Sequence, residues 1–297
     1  VLPVLLLVLS FKAVAQGEGP RVYLLAPVEI NALSATYMDM SSNMNFSQSI
    51  LIPEAKVSSE VLALNYNRFF DINGRFAELW LTGILGSVDG TVRGTPLGDL
   101  SADESGMGDP YLALRVGLIG APALKPAEFS QHHQGFQMHA LAGVTPPLGD
   151  YDSNRVLNLG TNRWSFRLGL PMVLPFGQPS TSTYLEINPN VYLYGDNDDP
   201  FGASNREQNP LFVLESHLTH NFTPRLWAGL DLRYQYGGET TTDGVRDDNR
   251  IEQLGGGVAL GYQFTRAFSG FVSYGEIIEQ RDNSEGDMLR LRAIYTF

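Results

Sequence analysis

From about residue 57 to the C-terminal phenylalanine, apolar and polar residues alternate in runs of about ten to thirteen. In 163–174, Trp164, Phe166, Leu168, Leu170, Met172 and Leu174 share one parity, and Arg163, Ser165, Arg167 and Gly169 take the other. In 183–194, Leu185, Ile187, Val191 and Leu193 oppose Glu186, Asn188 and Asn190. In 211–222, Phe212, Leu214, Leu218 and Phe222 oppose Glu215, His217, Thr219 and Asn221. In 226–236, Leu226, Leu230, Leu232 and Tyr234 oppose Asp231, Arg233 and Gln235. Side chains leave a β-strand on alternate faces, so each run is a strand with one apolar and one polar side. The fold is therefore all-β.

Period two also suits a soluble sandwich. Three features favour a membrane instead. The runs exceed the five or six residues usual in soluble strands. Their polar faces carry charges of both signs, as a watery lumen would. Aromatic residues stand at run ends (Trp164, Tyr194, Phe222, Tyr236, Tyr262, Phe264), where an interfacial girdle belongs. The connections agree with this. Short ones at 71–74, 177–181, 223–224 and 265–267 alternate with longer polar ones at 87–107, 147–162, 195–209, 238–249 and 280–286. Short periplasmic turns and long external loops have that arrangement. Residues 120–135 make one long exception.

Counting runs near 28–37, 57–69, 75–86, 109–119, 136–146, 163–175, 182–194, 210–222, 226–237, 250–264, 268–279 and 287–297 gives about twelve strands. Residues 38–56, with Met40, Met44 and Phe46, read as an external loop. Backbone polar groups at membrane depth must all be paired, so the sheet has to close. The expected fold is a transmembrane up-and-down antiparallel β-barrel. It would lie among lipid and lipopolysaccharide in the outer membrane of a Gram-negative bacterium. In the last run Leu289, Leu291, Ala293, Tyr295 and Phe297 share one face, with Arg290 and Arg292 on the other. A final strand ending in an aromatic residue resembles the signal read by the barrel assembly machinery, which implies that machinery as a partner.

At the other end, residues 1–9 are apolar, and Ala13, Val14 and Ala15 supply small residues around a cleavage position. This reads as a secretory signal, removed near Gln16, with 16–297 as a single barrel domain. Cysteine is absent, so no disulfide supports the fold. A net charge of −12 cannot neutralise a phosphate backbone, which excludes nucleic acid as a partner.

Parity assigns Arg115, His139, Arg163, Arg167, Glu186, Glu215, His217, Asp231, Arg233, Arg290 and Arg292 to the lumen. Twelve strands about 4.8 Å apart and tilted about 40° enclose a backbone radius of roughly 12 Å, which inward side chains then narrow. Opposite charges across so small a bore either line a path for a small solute or bridge and plug it. No catalytic set accompanies them. There is no G-x-S-x-G, His139 and His217 point inward, and His220 on the apolar face has no suitably spaced serine. Asp196, Asn197, Asp198, Asp199 and Pro200 lack the glycine and distal glutamate of a calcium loop. No metal or cofactor is implied.

Several short motifs occur in order. Gly106, Met107, Gly108, Asp109 and Pro110 form G-x-G-D-P, and residues 143–152 read GVTPPLGDYD. Residues 158–164 read NLGTNRW, followed downstream by Leu226, Trp227 and by Gly237, Gly238, Glu239, Thr240. Together these resemble the outer-membrane transporter family named for the meta-pathway of phenol degradation. The resemblance implies a barrel that imports aromatic or other hydrophobic compounds. It also implies that Gly108, Asp109, Pro147, Gly149, Tyr151, Asn162, Arg163 and Trp164 shape loops at strand ends. The function expected is a channel for small organic solutes. Lumen arginines would favour a carboxylate or phenolate, while the acidic external loops would repel anions. The alternatives are a non-conducting structural or adhesion barrel and, behind it, an outer-membrane lipase or esterase.

Overall fold

The computed structural model describes residues 17–297 except 53, 96–97, 178–180 and 282. The signal segment expected at 1–15 lies outside the described residues. The strands are β1 (Asn31–Ser42), β2 (Ala55–Ile72), β3 (Arg75–Thr95), β4 (Gly98–Ile119), β5 (Gln137–Thr145), β6 (Ser165–Gly169), β7 (Met172–Phe176), β8 (Thr183–Tyr194), β9 (Arg206–Gln208), β10 (Leu211–Asn221), β11 (Leu226–Gly237), β12 (Thr240–Thr242), β13 (Val245–Arg246), β14 (Ile251–Gln263), β15 (Phe268–Gln280) and β16 (Gly286–Thr296). β9, β12 and β13 form a small sheet of their own, and the other thirteen strands make one antiparallel sheet. β6 and β7 are two parts of one stave, because both pair with β5 and β8. Pro171 stands at their junction, where it has no N–H to give the ladder. The barrel thus has twelve staves, as the alternation predicts, and the pairing of β8 with β10 completes the ring.

The seam joins β16 to β1, from Ala32 opposite Thr296 to Ser42 opposite Gly286. Asn31 and Phe297 exchange backbone hydrogen bonds at 2.7 and 2.9 Å. Among the described residues, no sheet edge is left at membrane depth. Outward positions such as Leu64, Leu168, Leu232, Leu260 and Leu291 are exposed, as a lipid-facing belt requires. Aromatic pairs mark its periplasmic rim: Tyr262 with Phe264 at 5.1 Å, Phe264 with Phe268 at 5.4 Å and Tyr295 with Phe297 at 5.9 Å. Trp164 stacks on Phe166 at 6.4 Å at the opposite rim. A closed barrel with such a belt belongs in a Gram-negative outer membrane.

Several sequence expectations need correction. β1 begins at Asn31, not near 28, and continues to Ser42, so Met38 and Met40 lie on a strand. Residues 87–107 are not a loop but the tall hairpin of β3 and β4, with a register shift between Val92 and Thr95. Tyr194 is not part of a girdle. It faces the lumen with Tyr192, as its own parity requires. The long turn at 120–135 carries one short helix, α1 (Pro126–Phe129).

The largest departure is the stretch before β1. Residues 17–30 run inside the barrel, where Leu25 and Val28 pack on Ala32, Phe69, Phe76 and Ala121. Val28 N–H donates to the Leu124 carbonyl at 2.8 Å, and Glu29 forms an ion pair with Lys125 at 2.8 Å, so the segment is fastened to the long turn.

Candidate functional site

The lumen has two halves. In the periplasmic half the N-terminal segment is bound as a peptide would be. The Glu186 carboxylate accepts the backbone N–H of Arg21 at 2.7 Å and of Tyr23 at 3.3 Å. Arg115 donates to the Tyr23 carbonyl at 2.6 Å and forms an ion pair with Glu78 at 2.6 Å. Fully buried, the Tyr23 side chain stacks on Trp80 at 5.9 Å and packs against Ala113, Leu141 and Val173. Its hydroxyl donates to Glu18 at 2.8 Å and accepts from Arg167 at 3.0 Å and Asn188 at 2.7 Å. Arg167 also forms an ion pair with Glu18. The Arg21 guanidinium lies 4.4 Å from the centre of the Trp227 ring and donates to Thr219 at 3.1 Å. Gly19 is a glycine by necessity. Its φ is +85°, and a Cβ there would fall 2.3 Å from the Arg290 guanidinium.

All of the residues assigned to the lumen by parity lie on its wall or just above it. Arg115, His139, Arg163, Arg167, Glu186, Glu215, His217, Asp231 and Arg290 are buried, and Arg233 and Arg292 are half-buried. The fold brings most of them together. His217 meets Asp231 at 2.6 Å, and Arg233 lies 3.3 Å from Glu215. Arg163 stands apart at the external end, bonded to Gln208 and 4.5 Å from the centre of the Tyr194 ring. His139 is also separate, packed edge-on against Phe76 at 5.9 Å with neither ring nitrogen hydrogen-bonded.

The external half is hollow. A chamber of about 380 Å³ lies above Gly17 and Glu18. One wall is apolar, with Met38, Met40, Phe46, Val61, Trp80 and Ile84. Arg290 lies beside Met38 and Tyr111 beside Thr82 on neighbouring strands, while Tyr192, Tyr194, Arg167 and Arg233 come from β6, β8 and β11.

Two inward-folded loops roof the chamber. In the first, Asn45 accepts the backbone N–H groups of Ser49 at 2.9 Å and Ile50 at 3.0 Å, and this turn buries Met44, Phe46 and Leu51. In the second, at 146–164, Leu157 and Leu159 join Met40, Val57, Val61 and Val88 in one cluster. Asp109 holds that loop. One oxygen accepts Gly149 N–H at 2.8 Å, and the other accepts Thr161 N–H at 2.8 Å and its hydroxyl at 2.7 Å. Tyr151 donates to the Asp199 carbonyl at 2.9 Å, and Asn162 donates to Asn197 at 2.8 Å. The motifs at 106–110, 143–152 and 158–164 therefore meet in space and build the roof, whereas Leu226 and Trp227 lie at the periplasmic end beside Arg21. Sequence reasoning missed Glu18, Arg21 and Tyr23, whose segment shows no alternation. It passed over Trp80 and Tyr192, which parity could have found.

The sequence matches, over residues 41–293, the family described as "Putative MetA-pathway of phenol degradation". No curated protein sequence matches. The fold is similar to that of a crystallised outer membrane channel from Pseudomonas putida F1, with 23% identity and a TM-score of 0.77, covering 94% of this chain and 99% of that one. More distant likenesses are the β domain of the Bordetella autotransporter BrkA (7% identity, TM-score 0.51, 91% and 100% covered) and the translocator domain of NalP from Neisseria meningitidis (11%, 0.50, 90% and 88%). The family match spans most of the chain, including the segments that close the roof over the chamber; the protein belongs to the phenol-degradation MetA-pathway family.

Proposed function

We propose that this protein is an outer-membrane channel for small organic solutes with substantial apolar surface, aromatic ones included. The observation that carries this is the chamber of about 380 Å³, lined by apolar side chains together with tyrosines, arginines and smaller polar residues, seated directly above the N-terminal segment. A purely structural barrel has no use for such a space, whereas pockets of a few hundred Å³ with a few placed polar groups are what small ligands occupy. The similar barrel from Pseudomonas putida is described as a channel, which supports the reading. Passage requires the segment at 17–28 to shift, since it fills the periplasmic half.

Planar-bilayer recordings test this. The intact protein should give small current steps, and removal of residues 17–28 should enlarge them several-fold. No steps from either form under any voltage would overturn the channel. That outcome would favour the second reading, a closed barrel of structural role, which rests on the same segment as a permanent fill.

A further inference from the structure

The external chamber is lined by arginines as well as by apolar side chains, which suits a solute with an anionic group on an apolar body.

The charges give the same indication. Glu18 is taken by Arg167, and Asp109 is taken by the roof loop. On the same inner face, Glu215 faces Arg233 and Asp231 faces His217. Arg290 and Arg292 are two residues apart on β16, hence on one face, and neither has a carboxylate at ion-pair distance. Each is positioned by a neutral acceptor, Arg290 by the Gly17 carbonyl at 2.6 Å and Arg292 by Thr36 at 2.8 Å. Those bonds fix the guanidinium groups, and Asp231 and Glu215 offset part of the Arg290 charge from beyond ion-pair distance, leaving Arg292 the less compensated of the two. Two cations held side by side favour an anion, and a guanidinium fork matches a carboxylate.

We propose that the chamber binds monocarboxylates carrying one ring-sized apolar body. The carboxylate meets Arg290 and Arg292, and the body lies along Met38, Val61, Trp80 and Ile84. This rests on the channel reading of the same chamber and narrows its solute class. The size agrees. A cavity of about 150 Å³ accommodates benzene, so 380 Å³ takes a ring with a short chain and little more.

The test compares 4-phenylbutyrate with its uncharged counterpart 4-phenylbutanol, by calorimetry on the purified full chain in detergent at neutral pH and low salt. The carboxylate should bind at least about tenfold more tightly, as expected for hydrogen bonds to a charged group. In the double variant Arg290→Gln, Arg292→Gln the two affinities should agree within about twofold. The double lysine variant should retain the preference. If the double glutamine variant lacks the heat-modifiable gel migration of a folded barrel, the single glutamine variants decide, each with a loss of about threefold or more. Equal affinities in the wild type, or a preference that survives both arginine removals, would overturn the proposal. Influx of both compounds into proteoliposomes separates the two claims. Selective binding without influx leaves this site standing and removes the channel. Influx without any preference for the carboxylate does the reverse.

Discussion

In the periplasmic half of the lumen, Arg115, Glu186, Asn188 and Tyr23 use their polar atoms on one another and on the backbone of residues 21–23. In the external half, Tyr111, Tyr192, Arg290 and Arg292 line a chamber above that segment. The same residue types thus serve opposite ends. Where the chain supplies its own occupant, charges are paired and the bore is closed. Above that occupant, a chamber remains. The difference shows that inward charge does not by itself make a pore or a plug. The outcome depends on whether a partner from elsewhere in the sequence reaches the charge.

The largest expected effect lies in the filled half. Glu78 accepts from Asn67 at 2.7 Å and pairs with Arg115 at 2.6 Å, both fully enclosed. Glu78→Leu leaves a buried guanidinium without its counter-charge, a change that costs about 3–5 kcal/mol. The urea midpoint of the heat-modifiable gel band should fall accordingly. A loss below about 1 kcal/mol would mean that water reaches Arg115 and that this half is not sealed.

The staves from β2 onward were legible because their outward faces meet lipid. Where strands rise above the membrane, the code reverses. Met38 and Met40 point into the chamber while Asp39 faces water, and Val88 and Val92 are buried while Asp89 is exposed. There the apolar side is inward, the outward side reads like a loop, and β1 and the β3–β4 hairpin were cut short for that reason. The lumen residues followed from parity alone, since parity holds whatever fills the barrel. Their partners did not follow. Glu18 and Arg167 are 149 residues apart, and nothing local in either stretch records the contact.

A second comparison concerns the roof. Asp109 is held by three donors, two of them on Thr161, so its carboxylate fastens the loop that covers the chamber. Asp109→Asn replaces one acceptor oxygen by an N–H₂ that must face N–H or O–H donors. The cost should be about 2 kcal/mol, within the range for a hydrogen bond to a charged group. It should fall on the loop and spare the barrel. Arg155 on that loop is half exposed, so limited trypsin digestion should cut there faster in the variant while the gel shift of the barrel is unchanged. Unaltered cleavage would mean that Leu157 and Leu159 hold the roof unaided.

The smallest effect makes the sharpest comparison, because one substitution can be placed in both halves. Tyr23→Phe removes a hydroxyl that bonds Glu18, Arg167 and Asn188. Those groups are left short of a partner in a filled space, and the loss should be about 1–3 kcal/mol. Tyr111→Phe removes a buried hydroxyl that bonds nothing. No partner is stranded, so stability should change by less than about 0.5 kcal/mol and can rise, because an unsatisfied polar group has gone. Urea midpoints of the two variants, measured in the same detergent, give the contrast directly. Equal losses would show that the Tyr111 hydroxyl is itself engaged.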